Sequence, residues 1–306
     1  MTLFPFLKRK EAETPGLNPD VTEFLRGYSI EVMPRTAAKI DNFRDLLPAG
    51  TRIYIAHIDG TPIDDMVATA RLLARDGFAV MPHFPARIIK DRATLAGWIA
   101  RYQGEAGVDQ ALLLAGGVAQ PQGDYHSSIQ LLESGLFGDF KHLHVAGHPE
   151  GNRDIDPDGS DCNVMAALRW KQRFSDTSDA QMALTTQFAF AAEPVIAWAD
   201  ALRDAGITLP LHIGIAGPAK LQTLIKFAMA CGVGPSLRVL QKRAMDVTKL
   251  MLPYEPTEVV AALAAHKARH PDCLIAGAHL FPLGGITAAT DWASDHSRAA
   301  AAKDRT

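Results

Sequence analysis

The sequence predicts an α/β protein, a single-domain (β/α)8 barrel with extra helices before its last strand. Short apolar, β-prone runs recur eight times along the 306-residue chain, and each is followed by a segment with helical spacing of its apolar residues. Eight such units over roughly 250 residues are typical of this barrel. The fold also predicts where the chemistry lies, because such barrels use the C-terminal ends of their strands.

The eight predicted strands share one layout, an apolar run that ends in a polar residue or a glycine. They cover residues 28–34, 52–58, 78–84, 110–117, 142–150, 184–190, 209–217 and 273–281. Their C-terminal ends carry Glu31, His57, His83, Gly116, Gly117, His148, Glu150, Gln187, the glycines of 214–217 and His279. These residues form the first candidate site.

Helical spacing and helix-end residues predict the segments between the strands. The predicted helices cover about 36–47, a segment that begins near 62, the second half of 85–102, and then 127–134, 163–174, 194–205 and 218–230. The span 233–270 is longer than one barrel helix needs. It predicts two helices, near 235–251 and 256–268, that are broken at the prolines of 253–256.

The chain divides into three parts. Residues 1–20 are polar and contain three prolines, which favours an N-terminal arm. Residues 21–291 form the predicted catalytic barrel. Residues 292–306 are rich in alanine and charge, which predicts a C-terminal tail, either a fraying helix or a contact with a partner.

Composition excludes several classes of function. With 47% hydrophobic and 21% charged residues and a net charge of −3, the chain has no basic block for nucleic acid. No apolar run approaches the roughly 18 residues of a membrane helix. The three cysteines, Cys162, Cys231 and Cys273, form no disulfide pattern, so we expect a cytoplasmic protein.

Glu31 is the strongest candidate for a catalytic residue. It lies in the middle of the apolar run SIEVMP, where an unpaired carboxylate is expensive to bury. Burial would raise its pKa and make it a proton donor near neutral pH. The alternative is an ion pair with Arg35 or Lys39 just downstream.

Four histidines at strand ends raise the question of a metal site. They are His57, His83, His148 and His279. The chain has one H-x-H, at 142–144, and it lies early in its strand, away from the catalytic end of the barrel. We therefore expect no metal, and expect these histidines to hydrogen-bond a ligand or to serve the structure.

Two glycine-rich strand ends allow the backbone to approach a ligand closely. Gly116 and Gly117 follow strand 4, and GIAGPAK at 214–220 joins strand 7 to a helix whose N-terminus could face an anion. Both are weak signals, because a tight turn explains each of them equally well.

Five segments together resemble the methylenetetrahydrofolate reductase family. Residues 29–35, SIEVMPR, resemble its S-x-E-F-x-P-P-R. The other segments follow in the family's order: PH at 82–83 resembles P-H-x-T, HPE at 148–150 resembles Y-P-E, TQFAF at 186–190 resembles T-Q-F-F-F, and Gly214, Ile215 and Pro218 resemble P-G-I-x-P. The resemblance covers most of residues 26–285.

The resemblance implies an FAD-dependent enzyme that interconverts 5,10-methylenetetrahydrofolate and 5-methyltetrahydrofolate, with NAD(P)H as a possible electron donor. Glu31 would be the general acid. The implied folate-binding residues are Gln187, Phe188, Phe190 and His279. The implied flavin-binding residues are His57, His83, Ala115, Gly116, Gly117, Tyr125, His148, Glu150 and Arg173.

Three segments depart from the family pattern. The L-R-G-D after strand 4 reads LAGG at 114–117, the Y-T-L-N-R of strand 8 reads FPLGG at 281–285, and the tyrosine of Y-P-E is His148. Loss of the aspartate should make a flavin easier to reduce. We therefore hypothesise a divergent member that works toward oxidation of 5-methyltetrahydrofolate.

Two other functions stay open. A pterin-binding methyltransferase barrel would also use a folate, but it leaves Glu31 and the TQFAF segment less well explained. A non-catalytic folate- or flavin-binding paralogue is compatible with the lost charges, although Glu31 and Gln187 favour an enzyme. In each case we expect a small-molecule ligand and a homo-oligomer.

Overall fold

The computed structural model describes residues 18–231, 240–241 and 253–297 of the chain. Eight parallel strands close into a barrel in chain order, and β8 pairs with β1. They are β1 Ser29–Val32, β2 Arg52–Ile55, β3 Ala79–Pro85, β4 Gln110–Leu114, β5 His142–Gly147, β6 Gln181–Ala189, β7 Leu211–Ala216 and β8 Ile275–Phe281. The predicted (β/α)8 fold is confirmed.

Helices surround this barrel and connect its strands. They are α1 Pro19–Phe24, α2 Pro34–Ala37, α3 Ile63–Arg75, α4 Arg92–Ala106, α5 Ser128–Glu133, α6 Cys162–Ser175, α7 Ala192–Asp204, α8 Leu221–Ala230, α9 Thr257–Arg269 and α10 Ile286–Ser297. Two short 3-10 helices, Phe43–Asp45 and Ala86–Ile88, follow β1 and β3. Strand side chains that face outward, such as Ile30, Ile53 and Leu113, pack with the helices in one continuous hydrophobic core.

The strand registers arrange the inward-facing residues in layers of four from alternate strands, as in other barrels of this type. The upper layer, at the C-terminal ends, contains Glu31, His83, Ala146 and Gly214. The middle layer contains Tyr54, Leu112, Thr185 and His279. The lower layer contains Ser29, Met81, His144 and His212. The barrel interior is therefore unusually rich in histidine.

The predicted helix at 36–47 is wrong. The structure has the four-residue α2 and then the 3-10 helix Phe43–Asp45 in this segment. The side chain of Asn42 accepts a hydrogen bond from the backbone N–H of Arg44 at 3.1 Å. Such a local side-chain bond competes with the helical backbone pattern and stops a continuous helix.

Of the extra helices before β8, α9 matches the predicted helix at 256–268. The helix predicted near 235–251 lies almost wholly outside the described residues, as do most of the arm at 1–20 and the end of the tail. The described ends show that α1 begins at Pro19 and that α10 runs across position 291 to Ser297. Trp292, the first residue of the predicted tail, is buried in the core.

Across 18–231, 240–241 and 253–297, no helix combines the length and the apolar character needed to cross a bilayer.

Candidate functional site

The carboxyl group of Glu31 lies at the open end of the barrel between two histidines. Its Oε2 is 3.4 Å from Nε2 of His83 and 3.9 Å from Nε2 of His279, and one fifth of the side chain is exposed. Arg35 and Lys39, the partners of the alternative ion pair, are both exposed. The charged-group partners of this carboxyl are therefore two imidazole rings, and not the cations of the alternative ion pair.

Burial controls the protonation of this group. It raises the pKa of Glu31, and the nearby His83 offsets part of that rise. Burial also lowers the pKa of His83 to about 4 and that of His279 to about 3. At neutral pH both rings are neutral, and Glu31 keeps its proton to a higher pH than an ordinary glutamate. This combination suits a general acid.

Three buried ring nitrogens near the mouth have no hydrogen-bond partner among the described residues. They are Nδ1 of His57, Nε2 of His83 and Nε2 of His279. The 3.4 Å contact of His83 with Glu31 is within ion-pair range but is not aligned as a hydrogen bond. Leaving a buried polar atom unpaired is costly, so a cluster of such atoms indicates that a ligand or water completes the site.

A bulge in β6 exposes Gln187. The register of β6 against β7 shifts between Thr185 and Phe188, and Gln187 is exposed although the residues on both sides are buried. A Cβ atom on Gly214 would lie 2.5 Å from the carbonyl oxygen of Gln187. The glycine of β7 is therefore what lets the bulge fit. The side chain of Gln187 is exposed there, and its amide oxygen accepts a hydrogen bond from the backbone N–H of Phe188 at 3.2 Å.

Phe188 and Phe190 belong to a second hydrophobic cluster, which also includes Leu221 and Leu224 of α8. The ring of Phe188 packs edge-on against Phe190 at 5.6 Å and Phe281 at 5.4 Å. His279 lies 4.8 Å from Phe281, also edge-on. These aromatic residues form an apolar wall next to the polar group around Glu31, on the side of the expected folate.

Lys171 is a candidate site residue that the sequence reasoning missed. It lies in α6 and is buried, which lowers its pKa to about 8. Its charge acts on His148 at the end of β5, whose pKa burial lowers to about 4. The signal was present in the sequence, because Val164, Leu168 and Lys171 have the spacing of one buried helix face.

Arg173 has a different environment from Lys171. It is exposed in the last turn of α6. Two residues along a helix correspond to a rotation of about 200°, so the two side chains leave α6 on opposite sides. The structure places Lys171, and not Arg173, on the buried face next to His148. The expected ligand contact of Arg173 stays a prediction.

The turn after β4 packs against the loop after β3. The carbonyl oxygen of Ala115 accepts a hydrogen bond from the backbone N–H of Arg87 at 2.9 Å. Gly116 has a φ of 97°, and a Cβ there would lie 3.0 Å from Cβ of Pro85. Gly117 follows at an exposed position, and Tyr125 is buried in the main core. Of the predicted flavin-binding residues in this segment, the two glycines lie in the turn at the barrel mouth, whereas Tyr125 lies in the core.

Arg87 and Asp154 place a charge pair beside this turn, and the sequence reasoning had not identified either residue. The guanidinium of Arg87 donates to the carbonyl oxygens of Val118 and His126, each at 3.2 Å, and pairs with the Asp154 carboxylate at 2.7 Å. The segment after β4 has neither the arginine nor the aspartate of the family pattern. Here both charges come from neighbouring loops.

His57 and Glu150 lie on either side of these loops. Nε2 of His57 is 3.0 Å from the carbonyl oxygen of Thr61, and its ring packs against Trp98 at 4.8 Å. Burial lowers the pKa of His57. Glu150 is half-buried in the turn after β5. His57 is close enough to His83 for their charges to interact, so it belongs to the group around Glu31.

The side chains of the site do not converge as metal ligands. Within the described part of the chain, no group of three or more His, Cys, Asp or Glu side chains is placed to hold a metal ion. The chemistry available from these side chains is proton transfer and hydrogen bonding.

No protein family matches this chain. Among solved structures, it is similar to an uncharacterized protein from Clostridium thermocellum that binds two copies of 5-methyl-5,6,7,8-tetrahydrofolic acid. The two structures align with a TM-score of 0.60 over 90% of this chain and 98% of that chain, at 13% sequence identity. At this identity, the likeness shows a shared barrel fold.

Proposed function

We propose that this protein is a flavin-dependent oxidoreductase that interconverts 5,10-methylenetetrahydrofolate and 5-methyltetrahydrofolate. The observation that carries the proposal is the largely buried Glu31 carboxyl, with a raised pKa, between two histidine nitrogens that have no hydrogen-bond partner among the described residues. The similar barrel from Clostridium thermocellum binds 5-methyltetrahydrofolic acid, which supports a folate as the ligand.

Glu31 fits the acid–base part of this reaction. Opening the methylene bridge breaks a C–N bond, and the leaving nitrogen needs a proton. A carboxyl group whose pKa is raised by burial can supply it, and the same group takes the proton back in the reverse direction. His83 and His279 remain neutral, so they do not compete for that proton.

Gln187 and the aromatic wall suit a pterin. The exposed amide of Gln187 offers its NH₂ group as a donor to the edge of a heterocycle, and its oxygen, which already accepts from the N–H of Phe188, has a second lone pair to offer. Phe188 and Phe281 provide apolar surface beside it. We assign the pterin head to the space between this wall and Glu31, with His279 as a hydrogen-bonding neighbour.

The opposite side of the mouth fits the expected FAD. The buried Lys171 provides a cation for an anionic group such as a pyrophosphate, and the glycine turn after β4 allows close backbone approach. His57, His83, His148 and Glu150 lie at or just after the C-terminal ends of β2, β3 and β5. When bound, FAD would supply the hydride chemistry that these side chains lack.

The direction of the reaction is a separate part of the proposal. Residues 115–117 carry no carboxylate, and the carboxylate of Asp154 is paired with Arg87. A flavin next to neutral groups is easier to reduce. We therefore infer that oxidation of 5-methyltetrahydrofolate is favoured, with NAD(P)H as a possible electron donor for the reverse reaction.

The test begins with the absorption spectrum of purified protein after incubation with FAD and gel filtration. A retained flavin band supports the cofactor. Stopped-flow mixing of the oxidised holoprotein with 5-methyltetrahydrofolate, NADH and NADPH then tests direction. Bleaching by the folate supports the proposal. Fast bleaching by NADH or NADPH with none by the folate would overturn the direction, and the absence of bleaching with all three would overturn the activity.

The non-flavin alternative is favoured by one observation. The described neighbour binds a methylated folate, which a methyltransferase or a folate-binding protein would also do. Protein that stays colourless after incubation with FAD but binds 5-methyltetrahydrofolate in calorimetry would support it. The expected cytoplasmic location and homo-oligomeric state stay predictions, and light scattering tests the second.

A further inference from the structure

Arg87, just after β3, is bonded to two other loops of the barrel mouth, residues 115–127 (the β4 loop) and residues 148–161 (the β5 loop). Its backbone N–H donates to the carbonyl oxygen of Ala115 at 2.9 Å, and its carbonyl oxygen accepts from the N–H of Gln122 at 2.8 Å. Its guanidinium donates to two more carbonyl oxygens of the β4 loop, at 3.2 Å each, and pairs with Asp154 of the β5 loop at 2.7 Å. One residue therefore contacts both loops.

The β4 loop depends on such contacts for its shape. Every residue of this loop is described, and none lies in a helix or a strand. The N–H of Asp124 donates to the carbonyl oxygen of Lys90 at 3.0 Å. A Cβ atom on Gly123 would lie 1.8 Å from the same oxygen, so the two backbones are in direct contact. The segment after β3, which contains Arg87 and Lys90, thus supports the loop that carries the glycine turn.

The β5 loop is attached at two points. The buried carboxylate of Asp156 accepts from the N–H groups of Asn163 and Val164, at 3.0 Å each, in the first turn of α6. Asp154 is the second point, through its pair with Arg87. The Asp154 side chain is 54% exposed and that of Arg87 is 16% exposed. A pair this open to solvent adds little to overall stability, so its effect is on the position of the loop.

Asn152 connects Asp154 to His148 at the start of the β5 loop. Its Oδ1 accepts from the backbone N–H of Asp154 at 2.9 Å, and its Nδ2 lies 3.4 Å from Nδ1 of His148. A backbone N–H can only donate, so the amide oxygen faces Asp154 and the NH₂ group faces His148. Nδ1 of His148 is then the acceptor, and the proton of the neutral ring is on Nε2.

We propose that Arg87 is the positioning residue for the FAD side of the mouth. It holds the β4 and β5 loops in place, and through Asp154 and Asn152 it presents His148 as an Nε2–H donor to an acceptor oxygen of the ligand. Arg87 acts through these groups and does not itself touch the ligand. The inference rests on the proposed function, because it states how the expected flavin-binding residues are arranged.

The geometry requires an arginine at this position. Nε, Nη1 and Nη2 of Arg87 each serve a different partner, in directions that the planar guanidinium fixes. A lysine has one ammonium group on a flexible stem and cannot serve the three partners together. Loops that are already ordered reduce the cost of binding a ligand. Loosening them should therefore weaken affinity and leave the chemistry of the bound ligand unchanged.

Amide hydrogen exchange of the apoprotein tests the loops without any cofactor. Arg87→Lys should speed exchange in both loops on the order of tenfold, with an unchanged midpoint of urea unfolding. Asp154→Asn should speed exchange in the β5 loop alone, because the two carbonyl bonds to the β4 loop remain. Arg101→Lys is the matched control, since the ion pairs of Arg101 join α3 and α4.

Three outcomes of this experiment would overturn the proposal. They are unchanged exchange in Arg87→Lys, an equal change in Arg101→Lys, and a lowered urea midpoint that accounts for all of the faster exchange. The last result would assign Arg87 to overall stability.

NMR of protein with 15N-labelled histidine tests the link to His148. In the wild type, the ring-nitrogen shifts should place the proton of His148 on Nε2. Asn152→Asp keeps an acceptor for the N–H of Asp154 but replaces the NH₂ group with an oxygen that cannot donate, so Nδ1 of His148 should then carry a proton. A wild-type proton on Nδ1, or an Nδ1 that stays unprotonated in Asn152→Asp, would overturn this link.

Fluorescence titration with FAD measures the effect on the ligand. Arg87→Lys and Asn152→Asp should raise the Kd for FAD on the order of tenfold, as expected for one charge-assisted or well-oriented contact. The kcat at saturating FAD should stay near that of the wild type, because neither residue contacts the reacting atoms. Arg101→Lys should change neither quantity. An unchanged Kd in Arg87→Lys, or a fall in kcat without a rise in Kd, would overturn the proposal.

The two proposals fail in different ways. If the protein binds neither FAD nor folate but exchange and the His148 tautomer respond as expected, the proposed function fails and the positioning role of Arg87 in the two loops stands. If the folate bleaches the flavin but Arg87→Lys changes neither exchange nor Kd, the function stands and the positioning role fails.

Discussion

The backbone N–H of Gly214 donates a hydrogen bond to the hydroxyl of Thr186 at 2.8 Å. This hydroxyl in turn donates to the carbonyl oxygen of Gln187 at 2.9 Å. Together these bonds hold the β6 bulge against β7, so the exposure of Gln187 depends on a glycine that lies 27 positions further along the chain. A local reading of TQF does not reveal this dependence.

Gly214→Ala tests whether the bulge positions the ligand. The added methyl group would lie 2.5 Å from the Gln187 carbonyl oxygen, so the bulge must move. We expect the affinity for 5-methyltetrahydrofolate to fall on the order of tenfold, or about 1.4 kcal/mol. Calorimetry measures it. Gly277→Ala is the control, since its nearest neighbour would be 3.8 Å away. Equal affinities in both variants would contradict the role of the bulge.

Glu31→Gln separates catalysis from stability. Activity should fall by about 10²–10⁴-fold, because the amide cannot donate the proton, while FAD binding stays unchanged. Because burial raises the folded-state pKa above 4.5, the wild type loses stability as the pH rises through that pKa. The variant should therefore match the wild type near pH 4 and be more stable at pH 8. Urea unfolding at pH 4 and at pH 8 checks this prediction. A variant that is less stable than the wild type at pH 8 would argue against a raised pKa of Glu31.

The buried histidines predict how stability responds to acid. Burial lowers the pKa of His83 to about 4 and that of His279 to about 3, below their ordinary 6.5. As the pH falls below 6.5, the unfolded chain binds protons that the folded protein does not, so stability is lost between pH 6.5 and about 4. His83 alone contributes on the order of 3 kcal/mol. Urea unfolding from pH 7.5 to 5 should show this fall.

His279→Asn should reduce that pH dependence, and His126→Gln, at an exposed position, is the control. If the wild type and His279→Asn lose the same stability over this range, protonation of His279 is not the cause.

Lys171→Met and Arg173→Met form a matched pair on one helix. Loss of the buried cation should weaken binding of FAD on the order of tenfold, as expected for one charge-assisted contact. Loss of the exposed Arg173 should have little effect. The Lys171→Met apoprotein should be at least as stable as the wild type, because burying a charge is costly. Fluorescence titration with FAD measures both variants. A larger loss of FAD affinity for Arg173→Met would instead support Arg173 as the flavin-binding residue, as the sequence resemblance implies.

The sequence was sufficient for the barrel because its signals are local. Each strand shows as an apolar run, and most helices show as a spacing pattern. The predicted helix at 36–47 failed where Asn42 forms its own bond to the backbone, an effect that averaged helical spacing does not include. Glu31 was identifiable because a carboxylate in an apolar strand is expensive to bury.

The remaining parts of the site depend on contacts between distant segments. The Arg87–Asp154 pair joins two loops, and the Tyr54–His144 bond joins two strands that are not neighbours in the barrel, β2 and β5. Neither pair has a sequence spacing that predicts it. Lys171 is an intermediate case. Its position on the buried face of α6 could be read from the sequence, but its closeness to His148 could not.

The upper layer of the barrel is chemically uneven. Glu31 and His83 project from two of its strands, whereas Ala146 and Gly214 leave the other two almost bare. A flat ring bound over the bare half would turn one of its two faces toward the carboxyl group and the other away from it. In the proposed reaction, the small residues of β5 and β7 would thereby select which face of the ring meets Glu31.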